Sequence, residues 1–313
     1  MPEAPLITVA ICTRNRVRFL DECVQSVLPQ LGDNCDLLIV DNASTDDTAQ
    51  LAQRLADENR AVSAILQPQL GLSHARNAAI HNARGEWVLF LDDDAVAADN
   101  WLAAYRAFLK DLPSPKVATV GGAVFPRFET SPPRWIDQSL YRMDCGPRSF
   151  AFDGKGGPWG GNIAYRRQTI LDIGGFDTEL GRKGDFQGAH EESFLSTQLQ
   201  KAGHEIWWLP GAAIHHFVPV DRFRVKSLWR LSFDVGRSSA LIRLKRAQGR
   251  AKSLFILQRT LISPLQIVAR LLGAAALLLV GKTPQALKQW LGAARALGFS
   301  YQLLVDTKRN SSP

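Results

Sequence analysis

A chain of 313 residues with 46% hydrophobic side chains can bury a large core, as one big domain or as a domain with an appendage. Its cysteines (Cys12, Cys23, Cys35 and Cys145) have no C-x-x-C spacing and MPEAPLITVAICTRN has no leader pattern, so disulfide and zinc frameworks are set aside and a reducing cytoplasm is expected. The net charge of +7 is divided sharply: residues 1–221 hold 20 Lys+Arg against 28 Asp+Glu, whereas 222–313 hold 17 against 2, which points to an anionic partner, membrane headgroups or nucleic acid, with a solvated helical face as the competing reading.

ITVAIC (7–12) reads as a strand ending at Thr13-Arg14-Asn15, after which Phe19, Leu20, Cys23, Val24, Val27 and Leu28 follow at helical spacing. DLLIVD (36–41) is a second strand, and Asp41-Asn42-Ala43-Ser44-Thr45-Asp46 supplies turn and capping chemistry for a helix over 46–58. VSAIL (62–66) and EWVLFL (86–91) are further strands, separated by a helix over 71–83 that Gly85 closes. A helix over 99–111 and a strand over 117–125 come next, while 126–158, rich in Pro, Arg and aromatics, gives no clear order. Residues 157–176 read as loop, short strand and helix, and a glycine-rich stretch over 181–188 leads to a helix that starts at Glu191-Glu192 and ends at Gly203. IWWLPGAAIHHF (206–217) reads as strand, turn and strand. The alternation predicts a mostly parallel sheet with helices on both faces.

In open parallel sheets ligands bind beyond the carboxyl ends of the strands. Three polar clusters fall there: Thr13-Arg14-Asn15, Asp41-Asn42 and Asp92-Asp93-Asp94. The chain has no G-x-G-x-x-G after its first strand and no G-x-x-x-x-G-K-[ST], so dinucleotide and P-loop readings lose their main support. The three aspartates directly follow the apolar run Val88–Leu91, where an unpaired charge is costly to desolvate. A cation, a proton to be moved, or water must meet them.

Two resemblances bear on that choice. The D-x-D-x-V pattern of LFLDDDAV is similar to the nucleophile loop of haloacid dehalogenase-like phosphatases. That family carries its loop on the opening strand and needs a later lysine, for which Lys183-Gly184-Asp185 is the nearest match here. Over residues 7–217 the chain resembles family 2 of the inverting glycosyltransferases, which have the GT-A fold. The motifs that carry the likeness are Thr13-Arg14-Asn15, IVDNASTD (39–46), GLSHARN (71–77), LFLDDDAVAADNWL (89–102), GGNIAYRR (160–167), GGFD (174–177), HEESFL (190–195) and PGAAIHH (210–216), in that order.

The resemblance implies an α/β GT-A domain over 1–220, with a nucleotide-sugar donor whose diphosphate leaves with its charge neutralised by Mn²⁺ or Mg²⁺ on oxygen ligands. Asp92 is expected near the ribose and metal, and Asp94 and His216 on the metal. Asp93 takes the place beside the donor that is least engaged, because successive side chains in extended chain alternate. Asp41 and Asn42 would meet the nucleobase, with Thr13, Arg14 and Asn15 beside base and ribose; a surface ion pair competes for Arg14. Arg76 and Asn77 would contact base or ribose, with helix packing as the competing reading. Glu192 is expected as the base that takes the acceptor's proton, a contribution of roughly 10²–10⁴-fold, and Glu191 as its neighbour holding surroundings or acceptor. The family usually has Glu-Asp at this place. Trp159, Gly160, Gly161 and Asn162 would form the loop beside donor sugar and acceptor, although Trp159 could equally be core.

Beyond Asp221 the pattern is helical and basic. Within LISPLQIVARLLGAAALLLVG (261–281), Arg270 and Lys282 limit the uninterrupted apolar run to 271–281, short of the ~20 residues of a span. The expectation is a second region, 221–313, of helices lying on the inner membrane face with basic sides toward anionic lipid, and a glycan or lipid-linked acceptor. No nucleic-acid module is recognisable, and none is expected as partner. A non-catalytic membrane-associated scaffold is the third reading.

Overall fold

In the computed structural model, which describes residues 7–154, 156–247 and 249–310, the chain begins with three strand–helix units. These are β1 (Ile7–Thr13), α1 (Val17–Val27), β2 (Cys35–Asp41), α2 (Thr48–Glu58), β3 (Val62–Leu66) and α3 (Leu72–Asn82). β4 (Trp87–Leu91), β5 (Ala95–Ala97), α4 (Trp101–Lys110), β6 (Val117–Phe128), β7 (Phe150–Ala151), β8 (Asn162–Arg166), α5 (Arg167–Asp172), α6 (Glu191–Lys201) and β9 (Glu205–Val218) follow. Among the described residues they build a nine-stranded sheet in the order β3-β2-β1-β4-β8-β6-β9-β5, with β7 on β9. β1, β2, β3, β4, β6 and β9 run one way, and β5, β7 and β8 run the other.

The period-two alternation of each strand divides the core between two faces. Ile7, Val9 and Ile11 of β1 pack with Leu20 and Val24 of α1, Leu51 of α2 and Trp101 and Tyr105 of α4. Ala10 of the same strand faces Ala79 and Ile80 of α3, Ile170 of α5 and Leu195 and Leu199 of α6. Each fully buried Ile or Leu contributes about 1.5–3 kcal/mol of apolar transfer, so a shift of β1 by one residue would move both sets to the wrong face.

One element differs from its sequence reading. IWWLPGAAIHHF lies within a single strand, β9, rather than two strands joined by a turn. β9 pairs in parallel with β6, Leu209 opposite Gly122 and Ile214 opposite Val124, with a register shift between. Pro210-Gly211 sits in that irregularity, where a residue lacking an N–H is tolerated.

The chain divides into two units. The first comprises residues 1–128, 139–179 and 191–218, and holds the sheet. The second comprises 129–138, 180–190 and 219–313, so two excursions from the first 220 residues belong with the carboxyl-terminal helices, which a single cut at 220 does not express. In this second unit α7 (Val225–Arg246), α8 (Gly249–Leu279) and α9 (Thr283–Asn310) form a helical bundle. Ala240 and Leu244 of α7 meet Phe299 and Leu303 of α9 in its core, and the Trp229 and Trp290 rings lie 4.2 Å apart.

Candidate active site

The aspartates form the turn between β4 and β5. The Asp92 N–H donates to the Gly161 carbonyl (3.1 Å), and the Ala95 N–H donates back to the Asp92 carbonyl (3.1 Å). β5 then pairs antiparallel with β9, Ala95 opposite His216, and the Phe217 N–H donates to the Asp94 carbonyl (2.9 Å). This register delivers the imidazole to the carboxylates: His216 Nε2 is 3.1 Å from Asp94 Oδ1 and 3.6 Å from Asp92 Oδ2. One ligand atom from each of Asp92, Asp94 and His216 lies within 4.8 Å of the others. Two carboxylates and an imidazole, with no thiolate, are a donor set suited to a divalent cation of the Mn²⁺ type.

The electrostatics agree with a cation-seeking site. Burial lowers the His216 pKa, but hydrogen bonds and charge from Asp92 and Asp94 outweigh it and raise it to about 10. Burial raises the Asp94 carboxyl, but His216 holds it below the ordinary carboxylate range. Asp93 stands outside the cluster; burial and the adjacent Asp94 push it up to about 7. Arg16, three residues past the end of β1, lies 3.7 Å from Asp94.

A second group of charges adjoins the first. Arg76 projects from α3 beneath the rings of Phe90 and Phe176 (5.7 and 5.4 Å to the centroids). Its Nη1 donates to Glu191 Oε1 at 2.7 Å, and its Nη2 is 4.0 Å from Asp92 Oδ1. The arginine therefore links the opening turn of α6 to the turn after β4. Gly160 and Gly161 lie over this link: a Cβ at Gly160 would fall 2.7 Å from Arg76 Nη2, and one at Gly161 would run into the Asp92 carboxylate. Burial and the charge of Glu191 push the Glu192 carboxyl up to about 8, against the pull of Arg76. Glu191 Oε2, Glu192 Oε2 and the Tyr165 hydroxyl are buried with no hydrogen-bond partner among the described residues.

Thr13 and Asp41 are opposite each other in the β1–β2 register. Asp41 Oδ2 accepts from the Ser44 N–H (3.2 Å), while Asp41 Oδ1 and the Thr13 hydroxyl are buried with no hydrogen-bond partner within bonding geometry among the described residues. Arg14 is exposed, and so is Trp159, which excludes the core reading of that residue.

The asparagines and Arg76 have partners within the chain. Asn42 donates to the carbonyls of Gln67 and Gln69 and accepts from the Gly71 N–H, fixing the loop before α3. Asn77 exchanges hydrogen bonds with both backbone groups of Phe176. Asn162, wholly buried, donates to the carbonyls of Ala123 and Ala212 and accepts from Trp101 Nε1 and the Tyr105 hydroxyl. Asn15 accepts from the Thr45 N–H and ties the end of β1 to the loop after β2. These amides hold backbone, and buried Arg76 is engaged with the Glu191 and Asp92 carboxylates. Sequence reasoning missed Arg16, Cys23, whose Sγ lies 3.4 Å from the Asp92 carbonyl, and Tyr165. Position in the loop after β1 was the one available signal, for Arg16. Lys183, the phosphatase candidate, pairs with Phe186 in a tight turn of the second unit.

The profile described as glycosyl transferase family 2 matches residues 8–173. A glucosyl-dolichyl phosphate glucuronosyltransferase of Haloferax volcanii is 26% identical over 216 residues, 67% of this chain and 68% of that protein. An uncharacterised protein of Mycobacterium tuberculosis is 29% identical over 197 residues, 57% of this chain and 59% of its own length. Among solved structures, a mannosyltransferase of Pyrobaculum calidifontis in complex with GDP-mannose and Mn²⁺ superposes with a TM-score of 0.57 at 19% identity, covering 99% of this chain and 77% of that one.

Proposed function

The chain belongs to glycosyl transferase family 2 and has the GT-A fold, and from that premise we propose that it moves a sugar from a nucleoside-diphosphate donor to an acceptor hydroxyl with inversion. The observation that carries this reading is the meeting of Asp92, Asp94 and His216 at the end of β4. Asp92, Asp94 and His216 would hold a divalent cation, Mn²⁺ or Mg²⁺, whose charge would offset that of the departing diphosphate. The unpartnered Asp41 Oδ1 and Thr13 hydroxyl suit a nucleobase N–H and a ribose or base oxygen, groups that complete their hydrogen bonding. Arg14 and Asp93 border that donor side.

Glu192 is the general base. The acceptor oxygen forms its bond to the anomeric carbon as the bond from that carbon to the diphosphate oxygen breaks, and the hydroxyl proton passes to the Glu192 carboxylate. Glu191 and Arg76 position it: their ion pair fixes the first turn of α6 relative to Asp92. The exposed face of Trp159 offers a surface for a sugar ring. The acceptor is a glycan or a lipid-linked saccharide, in cell-surface polysaccharide or glycolipid synthesis at the inner face of the membrane. The likeness to an enzyme named for a dolichyl-phosphate-linked substrate supports the lipid-linked class. The phosphatase and scaffold readings lose their ground with the family assignment. Incubation with a panel of nucleotide-sugars and Mn²⁺ should release nucleoside diphosphate, and EDTA or Asp94→Ala should stop it. No release from any donor by folded wild-type protein would sink the proposal.

A further inference from the structure

The second unit holds a cavity that glycosyl transfer does not use. Where α8 ends and α9 begins, a space of about 450 Å³ is walled by Trp135, Val225, Ala274, Leu278, Leu287 and Trp290. The volume lies within the ~300–1,000 Å³ typical of ligand sites. Thr283 is the single polar side chain of the lining, and no charge faces it among the described residues. Sugars and nucleotides bring hydroxyls and phosphates whose burial without partners is costly. Hydrocarbon brings no such groups.

The outer face of α8 supplies a second, independent observation. Leu254–Leu279 is 26 residues long and apolar enough to cross a membrane, which revises the sequence reading of a run too short to do so: Arg270 falls within a longer apolar stretch. At 1.5 Å per residue that stretch spans ~39 Å, more than the ~30 Å of a hydrocarbon core. Little of it is buried by protein; Leu265, Leu272 and Leu279, at seven-residue intervals and hence on one side of the helix, are 72%, 66% and 89% exposed. Soluble monomers rarely leave so large an apolar patch in water. Leu278, 57% exposed, belongs both to the cavity rim and to this apolar helix.

Charge selects the occupant. Residues 222–313 carry 17 Lys+Arg against 2 Asp+Glu, and Arg243, Lys245 and Arg246 cluster in the last turn of α7. A second copy of the chain would set one strongly basic surface against another. An anionic bilayer offers hydrocarbon for the leucines and negative headgroups for the basic residues at once.

We propose that the second unit is a lipid-binding module in which the apolar face of α8 enters an anionic bilayer and the cavity bounded by Trp135, Leu278 and Trp290 takes one hydrocarbon chain of an anionic lipid. The module is independent of the transfer reading, because none of its residues belongs to the candidate active site. The test uses the full chain with phosphatidylcholine vesicles, with and without phosphatidylglycerol, doped with phosphatidylglycerol bearing a diazirine on its acyl chain. The protein should float only with the anionic vesicles, and irradiation should label peptides containing Trp135 or Trp290. Ala286→Trp, which fills the cavity, should remove that labelling and leave flotation intact. Leu287→Asp, on the α9 wall of the cavity, should do the same should Ala286→Trp fail to fold. Leu265→Glu with Leu272→Glu should abolish flotation. Flotation indifferent to lipid charge, label spread along α8 but absent from the cavity peptides, or α8 covered by a second copy with no vesicle bound, would each overturn the proposal.

Discussion

At the scale of single residues, the proposed base Glu192 must lose its proton before it can take one from the acceptor. Burial and the neighbouring Glu191 place this carboxyl at about 8, so near neutrality much of it is protonated and cannot accept a proton. The rate with acceptor should therefore climb with pH and level off beyond about 8. Removing the Glu191 charge with Glu191→Gln takes away one of the two causes, and the limb should move to lower pH; a fixed limb would assign it to another group. The same shift has a stability sign. The folded chain binds this proton more tightly than the unfolded chain, so the group's contribution to stability falls as pH rises from the ordinary carboxylate range toward 8. Glu192→Gln should remove that pH dependence and lower transfer by roughly 10²–10⁴-fold while donor binding, read by calorimetry with Mn²⁺ present, stays intact. Retained transfer would refute the assignment of the base.

At the scale of elements, glycine and asparagine hold the site by different means, and their substitutions separate metal binding from stability. Gly161 lies where a Cβ would meet the Asp92 carboxylate. Gly161→Ala should push that ligand aside and weaken Mn²⁺ binding by about tenfold, equivalent to ~1.4 kcal/mol, with little change in thermal midpoint. Asn162 joins β8 to α4, β6 and β9 through four buried partners. Asn162→Ala leaves buried carbonyls and donors unmet and should cost roughly 2–4 kcal/mol, visible as a lower midpoint in thermal unfolding. The strand–helix alternation and the carboxylates were legible because their signals are local: period-two burial, helical spacing, and charge directly after an apolar strand. The hydrogen-bond partners of the amides were not. An asparagine in such a motif has the same sequence signature whatever its side chain bonds, and only the positions of Gly71, Phe176 and Trp101 reveal these hydrogen bonds. The unbroken course of β9 was hidden for a related reason, since Pro210-Gly211 reads as a turn until the partner strand β6 fixes the pairing.

At the scale of the whole molecule, the basic carboxyl-terminal part is not a tail added to a finished domain. Charge composition locates its start, because the acidic residues all but cease after Asp221. It says nothing of the two earlier segments that belong to the same unit, since 129–138 and 180–190 lack apolar periodicity and find their partners only in space. Their attachment is specific. The Gln187 N–H donates to the buried Asp234 carboxylate (3.0 Å), the Ala189 N–H to the Ser238 hydroxyl (3.2 Å), and the Val220 N–H to Glu129 (2.9 Å). Trp135 lines the same cavity as Trp290. A chain ended at Val218 would keep both segments and lose every one of these partners, leaving backbone donors unmet and an indole bared. Such a truncation should lower the thermal midpoint and promote aggregation even in the absence of membrane. A true appendage would come away with the midpoint unchanged, and that result would restore a simple cut near residue 220. Because truncation perturbs folding in this way, its effect on activity cannot be read as an effect of membrane release. Substitutions confined to the exposed leucines of α8 leave these contacts in place, so they separate lipid binding from the integrity of the unit.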